Sequence, residues 1–396
     1  MIKFVHTGDC HITHGKQFDD SIKSLRFICE NSLQYDPDFF VIAGDFWHTV
    51  VKLNQNSPVM LAVKLLKEYP KPIVMIRGNH DEKGSLDIFK EISDNIYVST
   101  EPEIACLNID TGKIEKFSER TSDNLKTIFY CLPYIDHHSI IYGDPDANRG
   151  ENTIDLYVRN ILMDFKTETK DFDCPKIIIA HGAMKGYVEC DGQSSEEIGT
   201  AYDYTEKTFR LAEVDYVALA HIHKFQTFMD GRACYCSSIY SINFKELDKK
   251  SYSIITIDKE NNKFSNLRKE IPITRRHRKE INYDDFKDYS EFRLQLEKDY
   301  HTMNDNTHIL FEYKIISIPN VEIPTFIRNT KNITIKRVLL EISSTENIEI
   351  YSEDNLIDKA KQWTKSQKID WDDHLDLLFN TVEKEFAELD ISEDDV

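Results

Sequence analysis

A chain of 396 residues is long for one compact domain, so two or three are expected, and 40% hydrophobic with 30% charged residues is the balance of a globular protein with packed cores. A formal net charge of −20 argues against a nucleic-acid binder that works through a basic surface alone, and no run of about eighteen apolar residues is present to cross a membrane. The N-terminal MIKFVHTGDCH lacks the apolar core of a signal peptide, and eight scattered cysteines without a CxxC pair fit reduced thiols in a cytoplasmic protein.

In chain order, short β-branched or aromatic runs alternate with amphipathic stretches over roughly the first 260 residues. The runs are IKFVHT (2–7), FFVIAG (39–44), IVMIRG (73–78), KIIIAH (176–181) and YVALAH (216–221). Helices are expected at 19–35, where Ile22, Leu25, Phe27, Ile28 and Leu33 recur at helical spacing, and at 57–68. GDPDANRGEN (143–152) reads as an exposed loop. Strands alternating with helices imply an α/β sheet with covered faces, whose ligands gather at strand ends. Beyond residue 272 a polar helix (284–300) and two strands (309–318, 333–342) suggest a small second α/β domain. Two amphipathic helices close the chain. Leu356, Ile357, Ala360 and Trp363 share one face; Leu375, Leu378, Val382, Phe386 and Leu389 share another.

Charge is uneven. Residues 249–280 hold ten Lys/Arg against four Asp/Glu and include RRHRK at 275–279, whereas 353–396 hold five against fourteen. The basic segment is a candidate for phosphate contact; the acidic end is not.

Five strand ends carry metal-ligand residue types: Asp9-Cys10-His11, Gly44-Asp45-Phe46-Trp47-His48, Gly78-Asn79-His80-Asp81, His181-Gly182, and His221-Ile222-His223. On an extended backbone, a pair separated by one residue, such as Asp9 with His11 or His221 with His223, points to one side. Six of fourteen histidines fall in these motifs. Each motif alone is weak, but five in series at the ends of apolar runs point to one shared site. Cys10, between two of them, should face the other way and pack.

D-x-H, GD-x-x-H, GNHD, HG and H-x-H in this order resemble the calcineurin-like metallophosphoesterases. HGAMKG (181–186), SSEEIG (194–199), DYVALAHIHKFQ (215–226) and CSSIYSINFKE (236–246) resemble the SbcD branch, nuclease subunits of DNA double-strand-break repair. The likeness is dense over about 1–250. It departs at Ala220, where the family usually has Gly, and at Trp47, larger than the usual aromatic and expected to reshape the mouth of the site.

The resemblance implies a two-sheet sandwich flanked by helices at 1–270, a DNA-binding cap at 271–350, and C-terminal helices at 351–396 that bind a coiled-coil ATPase of the SbcC type. It implies two ions, one held by Asp9, His11, Asp45 and His223, the other by Asp45, Asn79, His181 and His221. Asp45 would bridge, and a carboxylate can span two cations where a neutral imidazole cannot. Mixed oxygen and nitrogen donors without thiolate suit Mn2+, with Mg2+ weaker. His80 would stabilise developing charge or protonate the leaving oxygen, Asp81 would orient the His80 ring, and His48 would position the phosphate.

The expected activity is a Mn2+-dependent 3′-to-5′ double-strand exonuclease and single-strand endonuclease. It would act on DNA ends, single strands and hairpins, in a complex with two copies of each subunit and no membrane contact. The expected location is the cytoplasm, near the nucleoid, or a host cytoplasm if a phage encodes the chain. The alternatives are a phosphoesterase acting on nucleotides or phosphoproteins, and a non-catalytic scaffold of the same fold.

Overall fold

A computed structural model describes residues 1–13, 18–48, 60–135, 153–191, 193, 203–243, 245–304, 309–317, 323–325 and 333–339. The C-terminal helix pair, SSEEIG and the 143–152 loop lie outside the described residues, as do the side chains of 275–278.

The strands are β1 (Ile2–Thr7), β2 (Phe39–Ile42), β3 (Ile73–Ile76), β4 (Ile96–Ser99), β5 (Glu103–Asn108), β6 (Ile114–Lys116), β7 (Leu125–Leu132) and β8 (Lys176–His181), followed by β9 (Tyr216–Ala220), β10 (Gln226–Phe228), β11 (Ala233–Tyr235), β12 (Ser251–Asp258), β13 (Lys263–Glu270), β14 (Arg275–Asn282), β15 (Ile309–Ser317) and β16 (Ile333–Leu339). The helices are α1 (Phe18–Ser32), α2 (Met60–Glu68), α3 (Asp87–Ile92), α4 (Thr153–Glu168), α5 (Glu206–Leu211) and α6 (Tyr289–Asn304).

Two compact units are present. One comprises Met1–Lys279, Lys298–Tyr313 and Asn329–Thr334, the other Glu280–Glu297, Lys314–Arg328 and Ile335–Val396. In the first unit two mixed sheets form the α/β sandwich, with strand orders β13-β12-β1-β2-β3-β4 and β10-β11-β9-β8-β7-β5-β6. Alternation along the strands builds three apolar layers. On β1, Ile2 and Phe4 join Phe39, Val41, Val74, Phe129, Ile177 and Ile179 in the layer between the sheets. Val5 points the other way, into a layer with Ile22, Leu25 and Ile28 of α1 and Leu66 of α2. On the second sheet Tyr130 and Ile178 pack outward against Val158 and Leu162 of α4 and Phe209 of α5.

Burial on both faces explains why these strands read as continuous apolar runs. It also accounts for the eight cysteines, all unpaired and seven of them buried. No described helix is long and apolar enough to cross a membrane.

Strand direction places the site. β1, β2, β3 and β4 run parallel, as do β7, β8, β9 and β11. All five motif-bearing strands therefore discharge their chains in the sense expected of parallel sheets, at carboxyl ends.

A third sheet has the order β14-β15-β16, so the RRHRK segment begins a strand. In the second unit Tyr283, Phe286 and Tyr289 pack their rings around buried Phe292 of α6, and Lys314 pairs with Glu280 at 2.9 Å. The helix expected at 284–300 starts later, at Tyr289. Residues Tyr283–Asp285 form a separate 3-10 turn in which the Asn282 side chain accepts from the Asp284 N–H.

Candidate active site

The loops after β1 and β2 run side by side. Asp9 N–H donates to the Gly44 carbonyl at 3.0 Å, His11 N–H to Asp45 at 2.9 Å, and Ile12 N–H to Phe46 at 2.8 Å. Asp9, His11 and Asp45 have φ of 48°, 43° and 49°, and His221 has 108°. The extended backbone expected of D-x-H is therefore corrected: these ligand-type residues sit in left-handed conformations, held by the paired loops. Non-glycine residues seldom adopt this region, and such strain persists where surrounding contacts over-determine it.

Two groups of donor atoms face each other across Asp45. Asp9, His11 and His223 bring one donor atom apiece to within 4.8 Å of one another, and so do Asp45, His181 and His221. His11 Nε2 lies 3.1 Å from His223 Nε2. Asn79 Oδ1 lies 2.9 Å from His181 Nε2 and 3.0 Å from His221 Nδ1. Asp45 Oδ2 is 3.6 Å from His11 Nε2 and 3.3 Å from His181 Nε2, while its Oδ1 accepts the His80 N–H at 2.8 Å. The structure thus brings together all seven residues expected as metal ligands, with Asp45 between the groups.

Electrostatics at the site are dominated by burial. Burial opposes charge on Asp45, yet His181 and His11 outweigh it and hold the carboxyl well below the usual range. Burial lowers His181, but Asp45 more than compensates and lifts it to about 9. Burial drives His11 well below the ordinary imidazole value and raises Asp9. Two imidazole nitrogens converging at 3.1 Å, beside buried carboxylates and an amide oxygen, share at most one proton per contact. This donor set, imidazole nitrogens and an amide oxygen turned to common points with carboxylate charge between, fits divalent cations, which would take the place of the proton held by His181.

His48 and His80 sit beside this core and are partly exposed. Their rings stack at 5.5 Å with 9° between planes, and His80 packs edge-on to His11 at 4.8 Å. His80 Nδ1 lies 3.0 Å from the His48 carbonyl, an acceptor, so Nδ1 carries the proton and donates. His48 Nδ1 lies 3.2 Å from His11 Nδ1.

The role expected of Asp81 is corrected. Its carboxylate accepts from three backbone N–H groups, Trp47 at 2.8 Å, Gly78 at 2.9 Å and Phe46 at 3.2 Å. Burial and the Asp45 charge push Asp81 up to about 6 against those bonds. It ties the loop after β2 to the loop after β3, and the His48 carbonyl orients the His80 ring instead. Trp47 is likewise corrected. It is buried in the core against Phe46 and Phe89, with its indole N–H on the Ser85 carbonyl, and does not line the mouth. Cys10 packs in the same core.

Ala220 is accommodated by Gly8: a Cβ built at Gly8 would meet the Ala220 Cβ at 2.4 Å. The next residue, His221, donates its N–H to both Asp9 oxygens, at 2.9 and 3.0 Å, which fastens the two sheets together at the site.

Tyr134, Gln193, Glu246 and Lys250 lie outside the five motifs yet reach the site. Tyr134 follows β7, its ring 6.4 Å from His181 and 6.5 Å from His221. Glu246, fully buried, reaches His223 Nδ1 at 3.3 Å and Lys250 Nζ at 2.7 Å. Burial works to raise Glu246, but the Lys250 ammonium and His223 outweigh it and bring it to about 2. FKELDKK offered one signal, an i, i+4 Glu–Lys pair, which by itself reads as a solvated helix face.

The model of one protein family, described as calcineurin-like phosphoesterase, matches residues 2–225, more than half of the chain. The chain belongs to that family.

Among solved structures the chain is similar to a Staphylococcus aureus protein designated a candidate 5′-nucleotidase and solved with alpha-ketoglutarate. The identity is 16% over 76% of this chain and 58% of that one, with a TM-score of 0.39. It is also similar to a dimetal phosphatase from Danio rerio, at 10% identity over 65% of this chain and 93% of that one, with a TM-score of 0.38. The match thus spans less than two thirds of the first of these proteins. Every member of the two His/Asp groups falls within the residues that the family model matches.

Proposed function

We propose that the chain is a Mn2+-dependent DNA nuclease, the catalytic subunit of an SbcCD-type complex that acts on duplex ends, single strands and hairpins. The observation that carries the hydrolytic reading is Asp45 set between two buried histidine groups, with His48 and His80 stacked beside them. DNA as the substrate is supported by the HGAMKG, SSEEIG and CSSIYSINFKE segments and by the basic run entering β14.

Asp9, His11, Asp45 and His223 would hold one cation, and Asp45, Asn79, His181 and His221 the other. Bound there, two cations supply Lewis-acid polarisation of a phosphoryl oxygen and acidify water at the site. Oxygen and imidazole donors without thiolate favour Mn2+ over Mg2+.

The protein's own groups do the rest. With Nδ1–H held by the His48 carbonyl, His80 has Nε2 available to carry a proton to the departing oxygen. When His11 turns Nε2 to its group, its Nδ1–H donates to His48 Nδ1, which places the His48 proton on Nε2 and makes this ring the candidate to position a phosphate. The stacked rings restrict both side chains, so phosphate and leaving group are met by groups already in place. The partner in this reading is a coiled-coil ATPase; this sequence has no Gly-x4-Gly-Lys-[Ser/Thr] loop, so ATP would bind the partner.

The test is nicking of circular single-stranded DNA by the purified chain in Mn2+, beside hydrolysis of a small chromogenic phosphate. Cutting of DNA is the expected result. Turnover of the chromogenic phosphate with intact DNA would replace this reading with a nucleotide or phosphoprotein phosphoesterase. Inactivity on both would leave a scaffold.

A further inference from the structure

We infer that Glu246, together with Lys250 and Gln193, is a positioning device that fixes the tautomer and placement of His223, so that Nε2 of this residue is presented to the Asp9–His11 group. The inference rests on the two-cation reading of the site and adds residues that do not contact the cations.

Glu246 lies in the segment between β11 and β12, away from the strand ends that supply the ligand-type residues. It is 1% exposed, and both carboxylate oxygens are engaged. Oε1 faces His223 Nδ1 at 3.3 Å and accepts from Asn243 Nδ2 at 3.2 Å. Oε2 accepts from Lys250 Nζ at 2.7 Å, from the Ile242 N–H at 3.1 Å and from Ser238 Oγ at 3.4 Å. A carboxylate so surrounded by donors accepts from His223 as well, which puts the imidazole proton on Nδ1. Nε2, 3.1 Å from His11 Nε2, is then the lone-pair nitrogen. An imidazole whose far nitrogen donates to a carboxylate is the arrangement that orients metal-binding histidines and raises their basicity.

Lys250 does more than balance the charge. Its Nζ also donates to the His223 carbonyl at 3.2 Å and to Ser238 Oγ at 2.8 Å. Gln193 clamps the same turn from the other side. Its Nε2 donates to the His221 carbonyl at 2.6 Å, and its Oε1 accepts the His223 N–H at 3.1 Å. Backbone and ring of the H-x-H turn are thus held by three buried polar side chains from outside the five motifs. A buried ion pair that served packing alone could be replaced by apolar residues of similar volume at little cost to the fold. A pair that sets a tautomer could not be replaced without changing the state of His223.

The experiment combines 15N NMR of histidine-labelled, metal-free protein with calorimetric titration of Mn2+ into the full chain. It compares wild type with the double variant Glu246→Leu/Lys250→Met. In the wild type, His223 should show the Nδ1–H tautomer. In the folded double variant that signature should be lost, and affinity at one of two Mn2+ sites should fall about 10- to 100-fold while the other is kept. A double variant with wild-type affinity and tautomer would overturn the inference. So would a wild type whose His223 carries its proton on Nε2, a result that needs no variant to fold. If wild type shows the Nε2–H form yet binds two Mn2+, only the positioning role fails. If it binds no Mn2+, the two-cation reading and the role built on it fail together.

Discussion

Gly78 shows how closely the chain is drawn in around Asp45. A Cβ placed there would lie 2.1 Å from Asp45 Oδ1 and 2.3 Å from the Asp45 nitrogen, so any side chain must displace the carboxylate that stands between the two groups. On the proposed function, Gly78→Ala should therefore lower the hydrolytic rate about 100-fold, the cost a 1 Å misplacement can carry, with Mn2+ content reduced in parallel. Metal analysis of the purified variant beside its kinetics checks this, and a variant with full Mn2+ content and full rate would refute it. His80 predicts the opposite split. Its ring is tied to the His48 carbonyl and it offers only its backbone N–H to Asp45. His80→Ala should keep near-normal Mn2+ content and lose about 100- to 10,000-fold in rate, the usual range for a proton-transferring side chain. Unchanged cutting by His80→Ala would remove that role.

At the scale of elements, β1 links the core to the site. It feeds Asp9 and His11 into the paired loops, and it also buries His6 between the sheets against the Tyr216 hydroxyl at 2.9 Å and Cys236 Sγ at 3.1 Å. Burial drives His6 down from 6.5 to about 3. The fold therefore favours the neutral ring. Its contribution is intact above the unfolded value of 6.5 and is lost as pH falls from there toward 3, because the unfolded chain takes up a proton that the folded chain refuses. At about 1.4 kcal/mol per pH unit, His6 alone should cost about 2 kcal/mol between pH 7 and pH 5. Urea unfolding at both pH values should show a smaller loss for His6→Gln than for wild type. Equal losses in the two proteins would mean that His6 does not drive the effect.

For the whole molecule, the decisive contacts run between sheets. Asp9, from the first sheet, accepts the backbone N–H of His221, from the second, and Asn79 meets His181 and His221 across the same divide. Cations bound at these points would add a cross-link to two layers already joined by apolar packing and hydrogen bonds. Mn2+ at about 100 times its dissociation constant should stabilise the fold by about 2.7 kcal/mol per site. The urea midpoint should then rise on Mn2+ addition and fall back with chelator; a midpoint indifferent to both would contradict cation binding at the interface.

The alternation of buried strands with helices and the seven ligand-type residues are legible in the amino-acid order alone, because parallel strands covered on both faces write continuous apolar runs and their carboxyl ends write polar clusters. That order leaves much else unread. Short strands such as Gln226–Phe228 and Ile114–Lys116 carry no periodic signal over three residues. Trp47 and Asp81 depart from expectation because residues adjacent in sequence face different surroundings: after β2, His48 faces the site and Trp47 the core, and after β3, His80 faces the site while Asp81 binds loop backbone. Packing of the two sheets, not any local pattern, brings Glu246 and Gln193, 23 and 30 residues from His223, into contact with it. Local patterning records burial and turn chemistry along one segment, whereas which segments meet at a point is set by how two sheets pack.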